Sequence, residues 1–150
     1  PKSKETFDIG LNTQVGSKWP VKSWGLKNWD SLEHILTKEG FSVSRQETAG
    51  QRILTDLNSY MDWINSCRTI ISSDTLGLHL ALAMKKNLFG LFGPTAPTEI
   101  HLYGRGKIIY PDSLPDCAPC FEPECDKYQI SCMDLITPEK VAKEVMSFGY

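Results

Sequence analysis

Two groups of residues in this chain have types and spacings that can do chemistry. The first is Ser73-Asp74-Thr75-Leu76-Gly77-Leu78-His79, which follows the apolar pair Ile70-Ile71 and runs into Leu80-Ala81-Leu82-Ala83. Polar groups collect there where a buried strand gives way to a helix, which is where an open α/β sheet places its ligand. The start of such a helix leaves backbone N–H groups unpaired and carries the positive end of the dipole, so a phosphate is the natural guest. Asp74 and Thr75 are also good N-cap residues, and a cap and an anion site are compatible. The second group is four cysteines, Cys117, Cys120, Cys125 and Cys132, spaced C-x2-C-x4-C-x6-C. Four thiolates in a short loop can make a tetrahedral zinc or iron site, which would be structural because no coordination position stays open. Free thiols are the equal reading, and disulfides the third, since no secretory signal is visible. The fifth cysteine, Cys67, stands in an apolar pattern and reads as a small core residue.

These groups need elements to position them. Residues 6–11 alternate and read as a first strand, and the polar stretch 12–18, with Gly16, reads as the loop after it. Pro20 keeps the following residues out of a regular helix. A helix is expected over about 27–38, where Trp29, Leu32, Ile35 and Leu36 recur at helical spacing and Gly40 supplies the stop. Residues 41–44 read as a short strand. Asn58 reads as the cap of a helix running to Cys67. Strand 68–72, helix 75–85 and strands 87–92 and 107–110 follow. Thr137-Pro138-Glu139 opens a last helix with a cap, a first-position proline and a first-turn acid. Strands alternating with helices predict an α/β fold, a parallel sheet with helices on both faces. The Pro-, Asp- and Cys-rich stretch from 111 to about 132 is too long for an idle connection and calls for a function or a staple.

The chain has 150 residues, enough for one domain with its own core, and 41% apolar and 23% charged residues are ordinary for a globular protein. A net charge of -2 gives no electrostatic reason to expect nucleic acid or a membrane surface as partner. No apolar run approaches the ~20 residues of a membrane span. The polar start, Pro1-Lys2-Ser3-Lys4-Glu5, has no signal-peptide core and no initiator Met, which suggests a piece of something longer.

An ordered set of motifs then points to a family. Lys18-Trp19-Pro20 with Trp24 and Trp29, Ser73-Asp74-Thr75-x-Gly77-x-His79-Leu80-Ala81, Leu91-Phe92-Gly93-Pro94-Thr95, Tyr103-Gly104, Cys117-x-Pro119-Cys120 and Ile136-Thr137-Pro138-Glu139 follow in order. The chain resembles the C-terminal half of the heptosyltransferase-like bacterial glycosyltransferases (family 9, GT-B fold). The resemblance implies that residues 1–150 form a Rossmann-like domain that binds a nucleotide-diphosphate sugar of the ADP-heptose type. It implies that the acceptor domain, N-terminal in such enzymes, is absent from this chain and carries the catalytic base, so that the fragment alone binds but does not catalyse. The acceptor would be a lipopolysaccharide core, the reaction metal-independent, and the setting cytoplasmic or at the inner face of the bacterial inner membrane.

Carried over residue by residue, the resemblance makes Lys18 the contact to the donor phosphates and Asp74 the residue at the sugar hydroxyls. Thr75, Leu76 and Gly77 would offer backbone N–H groups to the diphosphate, with His79 one turn further in. Glu47 is the candidate for the adenosine side. The sequence departs from the usual form in having Leu76 where many members have Gly, and Gly77 where many have Pro. Trp19, Trp24 and Trp29 read as packing residues, Thr95 as a turn residue first and a second contact with the donor otherwise, and His34 and His101 as residues without a role. Two other readings stand beside this one. The first is another GT-B enzyme such as a sugar-nucleotide epimerase, and the second a non-catalytic module whose cysteine loop mediates metal-dependent assembly.

Overall fold

The computed structural model describes residues 5–46, 56–127 and 129–149, and its centre is one parallel sheet of five strands. In chain order the elements are β1 (Phe7–Asn12), α1 (Leu26–Lys38), β2 (Val43–Arg45), α2 (Leu57–Ser66), β3 (Cys67–Ser73), α3 (Leu76–Ala83), β4 (Asn87–Leu91), β5 (Gly106–Ile109) and α4 (Pro138–Ser147). Single 3-10 turns stand at Pro20–Lys22 and Cys132–Leu135. The strand order is β2-β1-β3-β4-β5, with every neighbouring pair parallel. The chain steps from β1 to β2 on one side, then returns past β1 to lay down β3. The order therefore reverses between β1 and β3, and a sheet of this kind opens its crevice at the carboxyl ends of such a pair. Asn12 of β1 stands in register with Ser72 of β3, and Ser73 with Leu91 of β4, so these strand ends are level.

Alternation along the strands sends neighbouring residues to opposite faces. Ile71 faces α1 and α4, in a core with Ile9, Leu11, Phe89, Trp29, Leu32, Leu36, Val141 and Val145. Ile70 faces the other way, toward α2 and α3, with Ile64, Cys67, Leu78, Ala81, Leu88 and Phe92. The sheet is thus covered on both faces, as its apolar strands require. Trp24 and Trp29 are buried packing residues whose rings meet edge to face at 4.8 Å.

The helix ends follow local chemistry. Thr137 caps α4 by accepting the Lys140 N–H at 3.2 Å, with Pro138 in the first helical position. At α2 the cap is Asp56, not Asn58: its carboxylate accepts the Ser59 N–H at 2.8 Å, the geometry of a cap three residues ahead of its donor. Asn58 lies inside the first turn. Pro20 opens a 3-10 turn rather than a plain loop. The connection from β4 to β5 holds no helix among the described residues. No described helix is long and apolar enough to cross a membrane.

Candidate functional site

The ends of β1, β3 and β4 meet at α3. Asn12 is completely buried at the end of β1, and every polar atom of its amide group is used. Its Nδ2 donates to Ser72 Oγ and to Thr75 Oγ1, each at 2.9 Å, and its Oδ1 accepts the hydroxyl of Tyr60. Burial pushes the Tyr60 phenol up to about 12, against the opposing effect of its bonds to Asn12 and Gln46. One amide therefore joins β1, β3, α2 and the start of α3. Gly77 makes this approach possible, since a Cβ there would stand 2.2 Å from the Tyr60 oxygen and 2.5 Å from Asn12 Nδ2.

Thr75 holds the N-cap position of α3 in extended backbone, but its hydroxyl turns inward to Asn12 instead of capping. The helix start is consequently left open. The N–H groups of Leu76 and Gly77 have no acceptor among the described residues, while those of Leu78 and His79 turn back to Thr75 O. Leu76 points its side chain outward, 59% exposed, so it does not plug the helix end.

Asp74 stands just before this opening, with 18% of its side chain exposed. Its Oδ2 accepts from Lys22 Nζ at 3.1 Å and from Thr95 Oγ1 at 2.8 Å. Its Oδ1 is less engaged, with His79 Nε2 at 3.4 Å. The carboxylate is thus fixed through one oxygen and keeps capacity on the other for a ligand hydroxyl. Lys22 comes from the 3-10 turn after the first loop, and its ammonium also lies 5.2 Å from the centre of the half-buried Trp19 ring.

The expected site residues fall out unevenly. Asp74, Thr75, Leu76, Gly77 and His79 come together at the β3–α3 junction. His79 is 55% exposed beside Asp74 rather than packed in the core. Lys18 is exposed and bonds to no described side chain; the ammonium that reaches Asp74 belongs to Lys22. Thr95 is 7% exposed and hydrogen-bonded to Asp74, so it belongs to the site and not only to a turn. Glu47 lies outside the described residues. Sequence reasoning missed Asn12, Tyr60 and Lys22. The available signal was position: Asn12 closes the first strand, and Lys22 follows Lys18 in the same segment.

The cysteine stretch lies beside this site. Cys132 is buried, Cys117 and Cys120 are half-buried and Cys125 is exposed, and none is in a disulfide. Burial, and behind it the three neighbouring cysteines, push the Cys132 thiol up to about 11. Among the described residues no three His, Cys, Asp or Glu side chains are gathered as ligands of one ion.

Against known proteins, a family model described as glycosyltransferase family 9 (heptosyltransferase) matches residues 9–130. The lipopolysaccharide heptosyltransferase 1 of Pseudomonas aeruginosa is 26% identical over 161 aligned residues, covering 87% of this chain and 45% of that protein. Among solved structures, the Escherichia coli ADP-heptose lipopolysaccharide heptosyltransferase II superposes with a TM-score of 0.70 at 24% identity, over 97% of this chain and 47% of its own. The iron-containing dodecameric glycosyltransferase TibC of enterotoxigenic E. coli superposes with a TM-score of 0.69 at 15% identity, over 99% of this chain and 46% of its own. The chain spans about half the length of the relatives it matches.

Proposed function

The chain belongs to glycosyltransferase family 9, and from that premise we propose that it is the donor-binding half of an enzyme that moves a heptose-type sugar from a nucleoside diphosphate to a lipopolysaccharide-core acceptor. The observation that carries the reading is the open start of α3, with two unpartnered N–H groups beside a neutralised carboxylate at the β1/β3 switch point. The Pseudomonas relative and the E. coli structure supply the sugar and the adenine nucleotide by their names.

The chemistry divides among named groups. The Leu76 and Gly77 N–H groups and the dipole of α3 receive the diphosphate. Lys18, exposed on the first loop and not committed to a carboxylate, adds a mobile positive charge to the phosphates. These groups stabilise the charge that develops on the departing nucleoside diphosphate. Lys22 and Thr95 hold Asp74 through Oδ2, and Oδ1 is left to orient a sugar hydroxyl. His79 lies on the Oδ1 side and lines the sugar end of the seat. Glu47 remains the candidate for the adenosine side. The base that deprotonates the acceptor hydroxyl comes from an N-terminal domain facing this one, so the fragment binds without turning over.

The four thiols suit a structural zinc or iron in kind, and the iron-containing neighbour shares the fold. Their placement does not yet fit, because the sulfurs are not gathered as a tetrahedral set. Cys117, Cys120, Cys125 and Cys132 are the residues such an ion would need, and no step of sugar transfer is assigned to it. Elemental analysis of the purified protein decides this: one zinc or iron per chain supports the site, and metal-free protein of unchanged stability rejects it.

Calorimetric titration with ADP, with UDP as the control, tests the donor reading. Binding of ADP in preference to UDP is expected. Indifference to both nucleotides, together with metal-dependent oligomerisation, would identify an assembly module instead.

A further inference from the structure

Lys22 and Thr95 lie far apart in sequence yet meet on the same oxygen of Asp74. Each stands in a segment with no regular strand or long helix to hold it: Lys22 ends a single 3-10 turn, and Thr95 follows the Gly93-Pro94 turn after β4. Both segments are tied to the cysteine stretch and the 3-10 turn that ends it at Ile136, each of them twice. On the Lys22 side, the Val21 N–H donates to Pro123 O at 3.1 Å and the Trp24 indole N–H donates to Ile136 O at 2.9 Å. On the Thr95 side, the Phe121 N–H donates to Pro94 O at 2.9 Å. There too the Cys132 sulfur lies so close over Gly93 that a Cβ on that residue would stand 2.6 Å from it.

Resting on the donor reading above, we infer that the cysteine loop is the positioning element of the donor seat: residues 121–136 clamp the Lys22 and Thr95 segments together so that their side chains converge on Asp74. The described residues between 121 and 130 are exposed, Phe121 and Ile130 among them, whereas Cys132, Met133 and Ile136 are buried and anchor the end of the loop in the core. The core thus fixes the loop's end but gives no reason for Phe121 and Pro123 to lie against two site segments. A clamp accounts for it. It also gives the four thiols a purpose, because any bond that joins them stiffens a strap lying across the seat. The thiols touch no reacting atom. Phe121 and Cys132 act through the Thr95 segment, Pro123 and Ile136 through the Lys22 segment, and all four are positioning residues.

The test uses the full chain and two readouts. The first is the labelling of Lys22 by an amine-reactive ester relative to exposed Lys18, read by mass spectrometry, which needs no ligand. The second is affinity for ADP-heptose, whose sugar reaches Asp74. Phe121→Pro removes the N–H that reaches Pro94 and cannot keep the φ of 54° found there, while the exposed side chain leaves the core untouched. Phe121→Gly keeps both the donor and the backbone conformation. The Pro variant is expected to raise the Lys22-to-Lys18 labelling ratio and to weaken ADP-heptose by about fivefold, the worth of one hydrogen bond, with the Gly variant restoring both. Gly93→Ala, which pushes on Cys132 from the other side, is expected to raise the same ratio. An unchanged ratio in both Phe121→Pro and Gly93→Ala, in protein with an unchanged urea midpoint, overturns the clamp. Failure of the unsubstituted chain to bind ADP overturns the donor reading instead, and the labelling ratio still decides the clamp.

Discussion

The Asp74 seat and the cysteine loop lie against each other and are built in opposite ways. The seat is made from strand ends whose register places Asn12 beside Ser72 and Ser73 beside Leu91. Behind it the Asn12 amide is hydrogen-bonded at every polar atom and locks β1, β3, α2 and the start of α3 together. Among the described residues the loop has no strand, and its regular features are the turn closed by the Ala118 N–H on Pro115 O and the 3-10 turn at Cys132–Leu135. It is held by ties to other segments, so its shape is borrowed. A site supported by the sheet keeps its geometry when a surface residue changes. A loop supported by its neighbours passes any disturbance on to them, here to Lys22 and Thr95.

The largest effect expected on the seat comes from Asp74→Asn in the complete enzyme. It removes the charge that pairs with Lys22 and turns one of the two acceptor oxygens into an NH2 donor, so Lys22 and Thr95 on one side and the sugar hydroxyl on the other can no longer both be satisfied; affinity for the ADP-sugar should fall by about ten- to a hundredfold, the worth of a charged hydrogen bond. Affinity for ADP alone should change far less. Titration with both ligands separates the two, and an equal loss for both would deny Asp74 a role at the sugar.

Asn12→Ala should come next, on stability rather than binding. It removes the three hydrogen bonds that join Ser72, Thr75 and Tyr60 through one buried amide and leaves a cavity in its place, at a cost of about 2–3 kcal/mol read from urea unfolding. On the loop side Ile130→Ser, at an exposed position, should stay within about 0.5 kcal/mol. Similar losses from the two changes would erase the distinction between the regions.

Tyr60 gives the seat a signature in alkali. Its folded pKa of about 12 lies above its ordinary 10.0, so the stability it lends is complete below pH 10 and disappears as pH rises toward 12. Unfolding midpoints measured across that range should fall for the parent chain and fall less steeply for Tyr60→Phe. The smallest effect is graded thiol reactivity: in metal-free protein, a thiol reagent should modify exposed Cys125 first and buried Cys132 and Cys67 last. Equal rates at all of them would mean that the loop does not hold the pose described.

The contrast also explains what could be read from the residues. The alternation of strands and helices, the two-sided core and the β3–α3 junction were legible because periodicity and helix-end chemistry are local. Trp29, Leu32 and Leu36 announce the buried stripe of α1, and Ser73-Asp74-Thr75 announces the turn. Which lysine meets Asp74 was not legible. Lys18 and Lys22 share a loop, and the choice between them is made by the 3-10 turn at Pro20 and by the tie from Val21 to Pro123. Asn12 was marked by nothing but its place at the end of the first strand, and a polar residue there looks like a loop residue until β3 and α2 close over it. Thr95 was concealed in the same way behind Gly93-Pro94. Asp56 took the cap from Asn58 because both are good caps, and only the geometry decides which side chain reaches the N–H three residues on.

The central claim is that the first turn of α3 receives a diphosphate. The most direct measurement is the amide NMR spectrum of the labelled chain as ADP is added. The account predicts the largest shifts at the Leu76 and Gly77 amides, with smaller ones at Lys22 and Thr95. Saturable ADP binding that leaves those two amides unmoved, with the shifts gathered elsewhere on the surface, would contradict it.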